Sequence, residues 1–503
     1  MRKSVLEYLE ASAAQNPERP AYRDINRCYT FVDVQRLAKV IGSRIGGLHA
    51  QGRPVAVLME KSASMIVAFL GAVYGGCCYC PLDAGMPAER IRTILSVMEP
   101  AAMIVDSACA GLAESLEVKC PRFLFEELAA GEPDETVLAR VRGRMTDSDP
   151  LYILFTSGST GVPKGVVVSH RVVINNMEWL EEEYDFGPQD VMGNQVPLYF
   201  DVSDHDVYCP LKFGCSTVII PPEYFTFPAK LIPFLNEQGV TAIFWVPFAL
   251  SVVANLRGLE VEVPQKLRYI FFAGEVMPLK QLNYWRRYVP EAVYANMYGP
   301  TETYVCTYYN LDREFGDDET LPIGKPCGNV DILVLDENNQ LVEPGSKKEG
   351  ELCVRGCTLA SGYYNNPERT AERFVQNPLN PHYPELIYRT GDLVSYDEDG
   401  NLLYHDRLDF QIKRLGYRIE LGEIEAAAGA VEGIADCACI YDHGKQMILF
   451  LYTGTKLENR EISRQISKKI PRYMMPNRYL YLEEMPHNAN GKIDRKRLKE
   501  QYV

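Results

Sequence analysis

Positive charge is scarce in this sequence: 52 Lys and Arg stand against 67 Asp and Glu, a formal net charge of −15. A protein that grips nucleic acid through its phosphates needs a basic face, and none is visible, so no nucleic-acid partner is expected. Zinc-type cysteine spacing is also missing. Fourteen Cys are scattered along the chain, and although Cys77, Cys78 and Cys80 crowd together, none has the doubled CxxC…CxxC spacing of a zinc site. They read as small buried apolar residues, and free thiols suit a reducing cytoplasm. The N-terminal stretch MRKSVLEYLEASAAQNPERP has no apolar signal-peptide core. One uncharged run, Ser62 to Leu82, reaches the length of a membrane span. Ser, Gly and Pro interrupt it and its second half reads as turn then strand, so the expectation is a buried helix and strand with no membrane span. There is no internal repeat and no low-complexity tract.

What is present is an ordinary globular composition, 47% hydrophobic and 24% charged over 503 residues, long enough for several domains. Short apolar runs alternate with amphipathic segments. Strands are predicted at Val55–Met59, Cys78–Leu82 and Ala102–Val105, with helices from Phe31, Ser62 and Arg90. A second series follows at Thr217–Ile220, Ala242–Val246 and Tyr269–Phe272. This order predicts parallel, doubly wound α/β sheets. Beyond Thr307 the pattern turns to β: Val330 to Val342 reads as a hairpin, Gly350 to Gly356 as a strand, and Leu393 to Tyr404 as a chain folding back at Asp399-Gly400.

The stretch LYILFTSGSTGVPKGVVVSH, Leu151 to His170, stands out. Two strand-like runs frame Thr156-Ser157-Gly158-Ser159-Thr160-Gly161-Val162-Pro163-Lys164. Glycines let backbone N–H groups turn towards an anion, and four hydroxyls and an ammonium add donors for polyphosphate. A Walker loop needs Gly-Lys-Ser/Thr leading into a helix, and this segment has Pro163 before Lys164, Gly165 after it, and then a strand. Ligands of open α/β sheets bind beyond the carboxyl ends of strands. The loops starting at Asp201, Trp245, Ala273 and Asn296 are therefore expected to share one crevice. The last of these, Asn296-Met297-Tyr298-Gly299-Pro300-Thr301-Glu302-Thr303, presents an aromatic ring and a carboxylate around a forced turn.

TSGSTGVPKG resembles the phosphate loop of the AMP-forming adenylating superfamily, which includes amino-acid adenylation domains, acyl-CoA synthetases and luciferases. NMYGPTET, YRTGDL at Tyr388–Leu393, DFQIKRLGYRIELGEIEAA from Asp409, and NANGKIDR at Asn488–Arg495 resemble its later signatures, in order. The resemblance covers essentially the whole chain. It implies a large N-terminal domain of doubly wound sheets plus a β-rich subdomain (1–408), and a small mobile α+β C-terminal domain (409–503).

The roles it implies fall on particular residues. Thr156, Ser157, Gly158, Ser159, Thr160, Gly161 and Lys164 would bind ATP phosphates. Gly274, Glu275, Asn296, Met297, Tyr298 and Gly299 would bind ATP, Asn296 and Tyr298 at the adenine, with Asp392 on the ribose and Arg407 as a second ribose and phosphate contact. Thr301 would meet the α-phosphate, Glu302 would hold Mg²⁺, and Lys492 would be the catalytic cation between substrate carboxylate and α-phosphate. Asp409 would be the hinge, and Gly416 would line the path of a pantetheine thiol. Asp201 stands where amino-acid adenylation domains place the Asp that binds the substrate α-ammonium. Val202, His205, Trp245, Phe271, Ala273, Met297, Val305 and Cys306 would line the side-chain pocket. The family text before the channel Gly is Ile-Arg, whereas this chain has Arg414-Leu415.

The activity so implied is ATP-dependent conversion of an amino acid to aminoacyl-AMP, with release of pyrophosphate, then transfer to a phosphopantetheine thiol. No carrier signature follows Val503 and no condensation module precedes the chain, so a separate carrier protein is the expected acceptor. The wording resembles D-alanine–carrier protein ligases, a group that tends to carry Cys where this chain has Ala273. An acyl- or aryl-CoA ligase of the same superfamily is the alternative that Asp201 argues against. A non-catalytic nucleotide-binding scaffold is the alternative that Lys164, Glu302, Asp392 and Lys492 argue against.

Overall fold

The computed structural model describes residues 2–158, 161–346, 348–429, 431–487 and 493–503. The chain divides into two compact units. The larger comprises Met1–Asp83, Glu99–Leu154 and Val166–Asp406, and the smaller Ala84–Met98, Phe155–Gly165 and Arg407–Val503.

The larger unit is built on two mainly parallel sheets, both wound with helices. Among the described residues, one has the strand order Arg122–Leu124, Ala102–Val105, Pro54–Leu58, Cys78–Leu82, Pro150–Thr156, Lys164–Ser169. The second runs Lys325–Pro326, Thr307–Asn310, Val293–Tyr298, Tyr269–Phe272, Ala242–Trp245, Val191–Asn194, Ser216–Ile219, Pro20–Arg23, Cys28–Thr30. Its interior strands are parallel in register, Phe244 beside Phe271 and Phe271 beside Ala295. A third, antiparallel sheet contains Val330–Leu335, Gly350–Gly356, Leu386–Tyr396, Phe374–Gln376 and Leu402–Arg407.

Local chemistry explains the elements that position the site. The long uncharged run is a helix, Ala63–Tyr74, buried at every position, and Ser62 caps it by accepting from the Met65 N–H. The strand Cys78–Leu82 follows, buried throughout. No helix among the described residues is long and apolar enough to cross a membrane. Helix Phe31–Gly46 begins in a reciprocal capping box between Thr30 and Asp33.

Two expectations change. Val330–Leu335 folds back on Leu341 and Val342 through a short turn, with the Asp336 and Val342 N–H groups donating to the Gln340 and Val334 carbonyls, but its long antiparallel partner is Gly350–Gly356. The strand read as running into Asp201 ends earlier, at Asn194. Asp201–Ser203 is a 3₁₀ turn that continues directly into helix Asp204–Phe213.

In the smaller unit, Gln411–Arg414 pairs with Tyr417–Glu420, and helix Leu421–Gly429 packs on the sheet Ile434–Asp442, Met447–Gly454, Arg478–Tyr481. The hairpin turns through Leu415 and Gly416, both at positive φ (55° and 81°). Such turns suit Asn-Gly, and a leucine held left-handed is strained. Leu415→Asn is expected to stabilise this unit by about 0.5–1 kcal/mol, read as a higher urea midpoint.

Candidate active site

Within the larger unit, Asn296 to Thr303 leaves the strand Val293–Tyr298 and turns sharply. A Cβ on Gly299 would lie 1.5 Å from the Tyr304 carbonyl oxygen, so the turn closes only around glycine. The Cys306 N–H donates to the Tyr298 carbonyl at 2.9 Å, and Tyr304 is held at φ 52°. This geometry buries Glu302 completely, where it accepts from the Tyr363 hydroxyl at 2.7 Å. Asn296 donates through Nδ2 to the Pro322 carbonyl, 2.8 Å.

The Tyr298 hydroxyl donates to the Asp392 carboxylate. Two motifs 94 residues apart in the chain are thereby brought into direct contact. Asp392 is buried, and its own N–H is fixed by the Thr390 hydroxyl at 3.0 Å. Gly274, at φ 96°, and half-buried Glu275 follow the end of Tyr269–Phe272 on the same sheet. Thr301 is half-buried.

At the end of Val191–Asn194 lies the segment that starts with Asp201. Asp201 is half-buried and accepts from the Val202 N–H at 2.9 Å. Val202 packs against both apolar cores of the unit. His205 is buried, 4.4 Å ring to ring from Phe244 and 5.7 Å from Tyr304. Burial pushes its imidazole down to about 3, so the ring is neutral. Phe271, Ala273, Met297 and Val305 share one core with Phe244 and Tyr304. Cys306 is buried beside them but packs with Tyr298 in the core of the antiparallel sheet.

Trp245 is not brought to that face. Alternation along Ala242–Trp245 turns it to the other side of the sheet, where its indole N–H donates to the Gly193 carbonyl at 2.7 Å. There it packs edge-on against Phe225 and Trp285. Phe244, which the sequence reading passed over, takes the inward position one residue earlier.

The nucleotide-loop residues that are described belong to the smaller unit. The Thr156 hydroxyl is buried with no hydrogen-bond partner among the described residues. Ser157 donates to the Arg418 carbonyl at 2.9 Å. A Cβ on Gly158 would meet the Val162 carbonyl oxygen at 2.0 Å. Gly161, at φ 83°, donates back to the Gly158 carbonyl. Lys164 is buried at the start of its strand. Ser159, Thr160 and Lys492 lie outside the described residues. Arg407 grips Asp409 in a two-bonded pair, 2.7 and 2.9 Å, so the residue assigned to the ribose and the one assigned to the hinge hold each other.

Several groups carry no sequence signal. Lys61 is half-buried, donates to the Gln195 carbonyl at 2.8 Å, and desolvation depresses it to about 7. Asp206, near it, is raised by burial to about 7. Asp204 is buried, accepts from the Tyr152 hydroxyl, and is pushed well above the carboxylate range by burial and by its neighbours Asp201 and Asp206. A Lys before a helix and acids after a strand look solvated in sequence, and only the tertiary packing dries them. Tyr363, the partner of Glu302, lies outside every motif.

A Gly-closed turn, with an aromatic hydroxyl locked to one acid and a second acid fully buried, thus stands at the carboxyl end of a parallel sheet, where open α/β sheets bind their ligands. The chain belongs to the AMP-binding enzyme family, whose model matches residues 9–364, with the AMP-binding enzyme C-terminal domain matching 423–492. It is 34% identical to the L-proline–[L-prolyl-carrier protein] ligase of Streptomyces coelicolor, over 98% of this chain and 96% of that protein. It is 32% identical to tyrocidine synthase 3 of Brevibacillus parabrevis, over 99% of this chain but 8% of that much longer protein. In fold it matches the Vibrio cholerae adenylation domain AlmE, solved in complex with glycyl-adenosine-5'-phosphate. That match has a TM-score of 0.85 and 24% identity, over 100% of this chain and 98% of that one.

Proposed function

We propose that this enzyme activates an amino acid with ATP, releasing pyrophosphate, and passes the aminoacyl group to the phosphopantetheine thiol of a separate carrier protein. The observation that carries the reading is the match along nearly the full length of an amino-acid–carrier protein ligase, in a chain that keeps a half-buried Asp201 at the sheet's carboxyl end. An acid there complements an α-ammonium group and has no counterpart in a fatty-acid site.

The chemistry needs no general base. A carboxylate attacks the α-phosphate of ATP and pyrophosphate leaves, so catalysis is positioning and charge stabilisation. Thr156, whose hydroxyl has no partner among the described residues, the neighbouring loop donors and Lys164 hold the phosphates. Tyr298, with Asn296, faces the adenine, and Asp392 takes the ribose hydroxyls. Thr301 contacts the α-phosphate, and Lys492 screens the attacking carboxylate from it. Among the described residues no cluster of three metal-ligating side chains exists. Glu302, a single buried carboxylate, fits a Mg²⁺ ion held mainly by the nucleotide's own oxygens. Bound there, the ion neutralises phosphate charge. Residues 1–408 and 409–503 act as separate domains. The second turns about Asp409, withdraws Lys492 and admits the thiol past Gly416. The reducing compartment that free thiols suit is the cytoplasm.

The test is ATP–pyrophosphate exchange over a panel of amino acids in both enantiomers, with benzoates and fatty acids alongside. Exchange driven by one or a few amino acids is expected. Exchange with the aromatic or fatty acids alone would make the protein a CoA ligase.

A further inference from the structure

His205 is a side chain with an unfinished hydrogen-bond set. It is one turn beyond Asp201 and 1% exposed. Its Nε2 lies 3.0 Å from the Asn176 Oδ1. That oxygen only accepts, so Nε2 carries the ring proton and Nδ1 presents a bare lone pair. Nδ1 is buried and has no hydrogen-bond partner among the described residues. The ring that meets His205 edge-on, Tyr304, is 3% exposed, and its hydroxyl is likewise buried and unpartnered. Buried polar atoms are nearly always satisfied, and each one left unmet costs about 1–3 kcal/mol. Two such atoms on one ring pair, beside the residue proposed to take the α-ammonium, call for a group that both donates and accepts.

We propose that the activated amino acid has a short side chain ending in a hydroxyl, which donates to His205 Nδ1 and accepts from the Tyr304 hydroxyl. The inference rests on the amino-acid reading above and narrows its substrate class. Size follows from the walls: Phe244, Phe271 and Met297 are each at most 1% exposed and share the core with Tyr304, so a bulky side chain is excluded. A second ammonium fits less well. Burial that raises the neighbouring Asp204 carboxyl disfavours charge in these surroundings. A plain methyl group leaves both polar atoms unmet, and sites built around a substrate hydroxyl reject the analogue lacking it strongly.

The experiment compares kcat/KM for ATP–pyrophosphate exchange with serine, threonine and homoserine against alanine, 2-aminobutyrate and 2,3-diaminopropionate, each in both enantiomers. One of the hydroxy acids is expected to exceed its methyl counterpart by about 10²-fold or more. In His205→Leu the hydroxyl-to-methyl ratio is expected to fall towards 1. Faster exchange with alanine, 2-aminobutyrate or any larger side chain overturns the inference and leaves amino-acid activation standing. Fastest exchange with 2,3-diaminopropionate overturns the hydroxyl in favour of an amine. Exchange with no amino acid at all removes the parent reading, and this one with it.

Discussion

Gly299→Ala is expected to lower the exchange rate by about 10²-fold or more, although it adds a single methyl group. The methyl carbon would sit 1.5 Å from the Tyr304 carbonyl oxygen, 2.6 Å from its carbon and 3.1 Å from the Cys306 nitrogen. All three are backbone atoms, so no side chain can swing aside. Tyr304 is already held left-handed, and the Cys306–Tyr298 hydrogen bond closes the same turn. Relief therefore opens the turn. Tyr298 then loses its line to Asp392, and Glu302 its line to Tyr363. A shift of about 1 Å in such a constellation is enough for a loss of this order. The matched control is Gly111→Ala, where nothing lies within 4 Å of the new carbon and which sits in the helix Ala110–Ser115. It is expected to leave exchange unchanged and to raise stability by up to about 1 kcal/mol. Near-normal exchange in Gly299→Ala would show that this turn does not hold the reactive groups.

The largest stability effect is expected at Arg90. Helix Ala88–Met98 reaches helix Leu421–Gly429 in the smaller unit, where Arg90 pairs with Glu423. The two side chains are 5% and 2% exposed. Burial raises the Glu423 carboxyl and Arg90 pulls it back down. Removing Arg90 strands a carboxylate in a dry site, so Arg90→Ala is expected to cost about 3–5 kcal/mol. Arg90→Leu combined with Glu423→Leu removes both charges and is expected to recover most of that loss. Urea unfolding of the full chain followed through Tyr fluorescence measures both, and equal losses in the single and double variants would mean the pair is not the source. The partners are 333 residues apart in sequence, and nothing in either local pattern announces the other.

That contrast runs through the whole molecule. Strand Ala102–Val105 and the buried helix after Ser62 were legible because a continuous apolar run bounded by polar residues has one sensible burial. The Gly299 turn was legible because Gly-Pro admits few conformations. Partner choice was not: only the assembled sheet sets Gly350–Gly356 beside Val330–Leu335. Facing was not legible at Trp245 either, since one residue of phase decides which side of a sheet a ring occupies.

By itself, then, the order of residues determined the α/β class, the sites of the turns and the chemical kinds of group available for binding a nucleotide and an acid. Those follow from backbone sterics and local periodicity, which act over a few residues. The three-dimensional packing decided which groups are dry, which are paired and which are left wanting a partner. It sealed Arg90 against Glu423, joined Tyr298 to Asp392, and left the His205 Nδ1 and the Tyr304 hydroxyl without a hydrogen-bond partner among the described residues. Desolvation is a property of everything that surrounds an atom, and those surroundings come from distant parts of the chain.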